Sequence, residues 1–129
     1  MNNSFAGPLP DVNKLTSLKA LYLSYNRFSG EIHEDGFAGK NSLQKVFLAR
    51  NNFSGKIPKS IAALPMLSQL SLEGNRFEGQ IPDFQQNDLV MVNLAYNQLE
   101  GRIPYRLSEM NASSFAGINI HIMIFFLCY

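Results

Sequence analysis

Few residues of this chain stand in a pattern that reactive chemistry would use. The run GFAGKNS, Gly36 to Ser42, sets Gly39 before Lys40 as a phosphate-cradling loop does. That loop needs Ser or Thr after its lysine to hold a magnesium ion, and Asn41 stands there; no glycine sits at the right distance upstream. Ser42 and Lys45 fall at the Ser-x-x-Lys spacing of acyl-transfer enzymes, but Lys45 begins a predicted strand and no partner motif accompanies it. His33 and His121 have no Cys or His at metal-ligand spacing. Cys128 is the single cysteine, so no internal disulfide forms, and it is a poor nucleophile without an activating base. Glu31, Glu34 and Asp35 make a small acidic cluster that reads as a solvated loop. The chain reads as a non-enzyme with no catalytic residue, cofactor or metal.

The strongest signal is repetition. Five stretches begin with Asn and share one form: NSFAGPLP from Asn3, NRFSGEIH from Asn26, NNFSGKIP from Asn51, NRFEGQIP from Asn75 and NQLEGRIP from Asn97. Their steps are 23, 25, 24 and 22 residues. Upstream of Asn26 lie Leu15, Leu18, Leu21 and Leu23; upstream of Asn75 lie Leu64, Leu67, Leu70 and Leu72. Looser versions precede Asn51 (Leu43, Val46, Leu48) and Asn97 (Leu89, Val92, Leu94), and the first copy lacks its leucines. A period in the twenties with this leucine spacing is a leucine-rich repeat.

Each position has a mechanical task. The L-x-L pair alternates with period two and predicts a short strand with both leucines inward. Stacked strands predict a parallel sheet on the concave side. The Asn ladder of Asn3, Asn26, Asn51, Asn75 and Asn97 turns the chain inward and offers an amide to backbone groups of its own and the neighbouring coil. Phe5, Phe28, Phe53, Phe77 and Leu99 should stack as an apolar spine. Gly7, Gly30, Gly55, Gly79 and Gly101 suit a tight turn. KSIAAL (Lys59 to Leu64) and RLSEM (Arg106 to Met110) read as short helical turns on the convex side. The expected fold is an α/β solenoid of about five coils, over residues 1–112, with a separate tail over 113–129.

The F-S-G-x-I-P form after the Asn resembles the plant-type leucine-rich repeat of receptor-like kinases and secreted inhibitors. The runs LEGNRFEGQIPDFQ (Leu72 to Gln85), MNNSFAGPLP and DGFAGKNSLQKVFLARNNFSGKIP are similar to the ectodomain of the pollen receptor-like kinases, over residues 1 to about 117. The resemblance implies a non-catalytic fragment of such an ectodomain that takes part in signal perception. It also implies a secreted peptide or protein ligand, a co-receptor, and a place at the extracellular face of the plasma membrane. That family carries a kinase-like domain, and no kinase motif occurs here. The alternative readings are a secreted leucine-rich repeat inhibitor of a cell-wall enzyme, or a truncated product without function of its own.

The net charge of +1 lacks the basic excess that nucleic-acid binding needs. MNNSFAGPLP has neither the basic nor the apolar region of a signal peptide. The tail INIHIMIFFLCY is shorter than the roughly 20 apolar residues of a membrane span and departs from the family after SSFAG (Ser113 to Gly117). Without the family's cap, the last coil is expected to expose apolar surface and to make the isolated chain associate. Outward positions on the strands lie six, four, two and one residues before each Asn. Among them Tyr22, Tyr25, Lys45, Phe47, Arg50, Glu73, Asn93 and Tyr96 are the candidate ligand-binding residues, because aromatics and Arg dominate protein interfaces. Asn2, Asn52 and Asn111 begin N-x-S sequons and are glycosylation candidates.

Overall fold

The computed structural model describes residues 4–12 and 14–120. The readings placed on Asn2, Asn3, His121 and Cys128 fall outside them. In chain order the strands are β1 (Ala6–Gly7), β2 (Ala20–Tyr22), β3 (Arg27–Glu31), β4 (Lys45–Phe47), β5 (Asn52–Lys56), β6 (Gln69–Ser71), β7 (Arg76–Gln80), β8 (Met91–Asn93), β9 (Gln98–Gly101) and β10 (Asn119–Ile120). One helical turn, α1 (Lys59–Ala62), lies between β5 and β6, and 3-10 turns occupy Tyr105–Leu107 and Ala112–Phe115. The two helical segments expected on the convex side are therefore present, each about one turn long.

The strands form two parallel sheets. The inner one has the order β2-β4-β6-β8 and the outer one β1-β3-β5-β7-β9-β10. The inner sheet shows four coils rather than five, because the first motif copy has no leucines to make a strand. Its register pairs Leu21 with Val46, Val46 with Leu70, and Leu70 with Val92. All four are buried, so the middle residue of each three-residue strand faces the core and its neighbours face outward.

The outer sheet corrects the sequence reading, which placed a tight turn after each Asn. Those residues are strands of up to five residues that alternate around a buried phenylalanine. Phe28, Phe53 and Phe77 stack at centroid distances of 6.1 and 6.2 Å, and Leu99 continues the buried column. Burying each Phe contributes about 2 kcal/mol of transfer free energy. Phe5 does not belong to that column. It is 64% exposed, and Leu15 is 52% exposed, since both lie on the outermost described coil and no described coil covers them. Val12 supplies buried surface at that end instead.

The glycines of this row sit inside the strands with left-handed backbone, φ +77° at Gly55 and +80° at Gly79, which glycine adopts without the Cβ penalty. They also serve as a floor for the coil before. A Cβ on Gly55 would come within 2.6 Å of Glu31 Cγ, and one on Gly79 within 3.4 Å of Lys56 Cγ. Long side chains thus lie across the next coil's glycine, which holds neighbouring coils in register.

The Asn ladder closes the stack. Asn75 Nδ2 donates to Leu48 O of the preceding coil at 2.9 Å and to Leu72 O of its own at 3.0 Å, while its Oδ1 accepts Phe53 N–H at 3.1 Å. Asn51 does the same with Leu23 O, Leu48 O and Phe28 N–H, and Asn97 with Leu72 O, Leu94 O and Phe77 N–H. Each amide therefore completes the coil before it. Beyond the Asn97 coil, Tyr96 N–H donates to Ala116 O as Gly74 N–H donates to Ala95 O, which puts Ile118 where the next Asn would stand. The described part of the segment from Ser113 onward keeps the coil path, since β10 pairs parallel with β9. No helix among the described residues is long and apolar enough to cross a membrane.

Candidate ligand-binding face

The inner sheet arranges its outward side chains in rows that run from coil to coil. One row is Ala20, Lys45, Gln69 and Met91; the next is Tyr22, Phe47, Ser71 and Asn93. In the second row Tyr22 and Phe47 stack with centroids 5.2 Å apart and planes 8° from parallel. Tyr22 is 61% exposed and Phe47 half-buried, so one ring supports the other while its free face meets solvent. Lys45 lies two residues before Phe47 on the same face of β4, and no ion pair engages it among the described residues. Asn93 is partly committed: its Oδ1 accepts Ala95 N–H at 3.0 Å.

A third row, one residue before each Asn, is Tyr25, Arg50, Gly74 and Tyr96. Here the chain leaves the strand and turns toward the Asn, and the backbone is left-handed: φ 60°, 57°, 71° and 59° in that order. The N–H groups of all four bond the next coil, Tyr25 to Ala49 O, Arg50 to Glu73 O, Gly74 to Ala95 O and Tyr96 to Ala116 O, at 2.7 to 3.0 Å. Those bonds offset a conformational cost of about 1 kcal/mol at each non-glycine residue. Sequence reasoning did not find this geometry, because the residues in it are Tyr and Arg and only one is glycine.

Gly74 gives Arg50 its path. A Cβ at Gly74 would sit 2.7 Å from Arg50 Cδ, so the Arg50 side chain lies across that coil. Its guanidinium reaches over the Tyr96 ring, 5.8 Å from the centroid, and meets Glu73 Oε1 at 3.3 Å. At this exposure the cation–π contact is worth about 0.5–1 kcal/mol and the ion pair no more. Their effect is to hold Arg50 in one place rather than to hold the fold together. Tyr96 in turn lies over Gly117, whose added Cβ would meet Tyr96 Cδ1 at 2.6 Å.

The eight candidates thus fall into two groups on one face: Tyr22, Phe47 and Lys45, and then Arg50, Glu73 and Tyr96 with Asn93 in the row beside them. Tyr25 shares their row, and no ring or ion contact joins it to them among the described residues. Three other outward positions are covered: Ala49, Ser71 and Ala95 are buried, being too short to rise past their neighbours. Of the false chemical matches, Lys40 is 2% exposed and offers no phosphate a charge, and His33 Nδ1 accepts Asp35 N–H within its loop. Gln86, which no sequence signal marked, is buried and ties coils together by donating to Ile61 O and Leu64 O. Asn52 opens β5 with an exposed side chain, and Asn111 precedes the last 3-10 turn, where its side chain accepts Ser113 N–H.

Comparison with known proteins agrees with this architecture. A leucine-rich repeat family model matches residues 16–77. Pollen receptor-like kinase 2 of Arabidopsis thaliana is 48% identical over 117 residues, which is 91% of this chain and 18% of that protein. The crystal structure of a pollen receptor kinase 3 superposes with a TM-score of 0.82 at 41% identity, covering 94% of this chain and 58% of that one. The ectodomain of the Arabidopsis receptor kinase HAESA, solved with a peptide hormone ligand, gives a TM-score of 0.83 at 39% identity over 92% of this chain and 21% of that one. The chain spans less than a fifth of the length of the curated pollen kinases, and the matched part holds their repeats with no catalytic domain evident. It is a plant-type leucine-rich repeat array of the kind that forms the ectodomain of pollen receptor-like kinases.

Proposed function

We propose that this chain is a recognition segment of a pollen receptor-like kinase ectodomain. It binds a secreted peptide or protein through the concave face, on the extracellular side of the plasma membrane. The observation that supports this most is the left-handed row. Glycine would occupy those positions without strain, as Gly74 does, yet Tyr25, Arg50 and Tyr96 keep large side chains there. Backbone strain retained beneath exposed aromatic and cationic groups points to a use for those groups. Arg50 held between Glu73 and Tyr96 is ordered before any partner arrives, which lowers the cost of binding. A co-receptor fits the same scheme as a second protein partner.

The test is selection of a phage-displayed random peptide library on the immobilised chain, followed by affinity measurement of the selected peptides. Loss of the ring pair in Tyr22→Ala/Phe47→Ala is expected to weaken them by about 30-fold, the equivalent of one interface hot spot of about 2 kcal/mol. Arg76→Ala on the outer sheet is expected to leave them unchanged. Peptides that bind the ring-pair variant as tightly as the parent would refute the concave site.

A further inference from the structure

We infer that Asn52 and Asn111 carry N-linked glycans. This rests on the extracellular placement proposed above. Both residues begin an N-x-S sequence, Asn52-Phe53-Ser54 and Asn111-Ala112-Ser113, which is the acceptor signal for this modification. The fold leaves each asparagine exposed. In β5 the period-two alternation buries Phe53 in the core and turns Asn52 and Ser54 to the outer side of the sheet. At Asn111 the side-chain oxygen caps the 3-10 turn by accepting Ser113 N–H. A sugar on Nδ2 leaves that oxygen and its bond in place.

The reaction is transfer from a lipid-linked oligosaccharide pyrophosphate. Asn Nδ2 forms a bond to the anomeric carbon of the first sugar and loses one proton. The bond from that carbon to the pyrophosphate oxygen breaks, and the lipid pyrophosphate leaves with the electron pair. The two sites differ in when the fold closes over them. Phe53, the middle residue of the first sequon, is fully buried in the phenylalanine stack, so Asn52 must be modified before that column forms. Asn111, Ala112 and Ser113 are all exposed in the folded chain, so that sequon stays open afterwards.

Placement gives the glycans a consequence for binding. Asn52 belongs to the outer sheet and Asn111 to the loop that enters the last coil; neither lies in the Tyr22–Phe47 row or the Arg50–Tyr96 row. A glycan at Asn52 screens the outer sheet and leaves the concave rows open.

The experiment is secretion of the full chain behind a cleavable signal from insect cells, with enzymatic deglycosylation in heavy-oxygen water and peptide mapping. Label is expected at Asn52 and Asn111. Asn52→Gln and Asn111→Gln should each remove one glycan-sized step in mass. Ser54→Ala and Ser113→Ala should do the same while keeping the asparagine. Loosening the phenylalanine column with Asn75→Ala, which removes the acceptor of Phe53 N–H, should raise occupancy at Asn52 and leave that at Asn111 unchanged. Secreted chain with both asparagines unlabelled overturns the inference. So does label at Asn52 that survives Ser54→Ala, or a glycan-sized mass that Asn52→Gln leaves unchanged. Peptide affinity is measured on the same material, and Tyr22→Ala/Phe47→Ala should lose binding with its glycans intact. The concave site and the glycan sites therefore fail separately.

Discussion

Replacing Asn75 with alanine should be among the most damaging single changes to this array, and the hydrogen bonds say by how much. Asn75 is 7% exposed. Its removal takes the side-chain acceptor of Phe53 N–H, a buried donor at 3.1 Å. The three carbonyls it serves fare better, and Glu73 O, the weakest at 3.4 Å, still receives Arg50 N–H at 2.7 Å. Leu48 O still receives Asn51 at 3.2 Å, and Leu72 O still receives Asn97 at 2.9 Å. An orphaned buried N–H costs about 1–3 kcal/mol, and each lost amide bond about 1 kcal/mol net. The expected loss is about 3 kcal/mol. Asn26→Ala provides the contrast. Asn26 accepts Phe5 N–H at an exposed site, where water replaces the amide, and Leu23 O keeps Asn51; the expected loss is below about 1 kcal/mol. Urea unfolding followed by circular dichroism reads the difference. With a slope of about 2 kcal/mol per molar for a chain of this size, Asn75→Ala should lower the midpoint by about 1.5 M and Asn26→Ala by less than 0.5 M. Equal shifts in the two variants would refute the reasoning that the ladder works by satisfying buried groups of the preceding coil.

Further outcomes follow from the same geometry. Ile118→Asn places an amide oxygen where Leu99 N–H has no side-chain acceptor among the described residues, and adds a second donor to Leu94 O, which Asn97 already serves; it should raise stability by about 1 kcal/mol in the same urea assay. Gly79→Ala forces a Cβ into φ +80° and should cost about 1–2 kcal/mol, a fall of several degrees in thermal midpoint; an unchanged midpoint would show that the glycine row is not conformational. Glu73→Gln breaks an exposed ion pair whose side chains are 46% and 24% accessible, and calorimetry should find less than about 0.5 kcal/mol of change.

The scaffold was legible because each of its residue types repeats one task at one spacing. The ladder asparagines, the L-x-L pairs and the phenylalanine column could all be located by counting. The outer sheet was not legible, since N-F-S-G-K carries a glycine and a serine that suggest a turn. What makes it a strand is pairing to an identical stretch one coil away, which no single copy displays. Leu15 and Phe5 matched the core pattern, but burial depends on a neighbour and not on the residue. The rows of the candidate face followed from counting back from each Asn, and Tyr22 and Phe47 were found in that way. The contact of Arg50 with Tyr96 could not be found so. It skips a whole coil, and it exists because Gly74 between them has no side chain.

The two sheets also decide the shape of what this surface can hold. Both grow by one parallel strand per coil, and parallel neighbours are spaced by about 4.8 Å whichever sheet they belong to. Strands on both margins limit how much faster one can lengthen than the other, which argues against a tight horseshoe closed around a globular guest. The four inner strands span about 15 Å from the first to the last. An extended peptide advances about 3.3 Å per residue, so three of its residues pass for every two coils. Side chains that alternate along such a peptide fall out of step with the coils almost at once. Recognition on this ribbon therefore favours a short motif read at one or two places over a long periodic one.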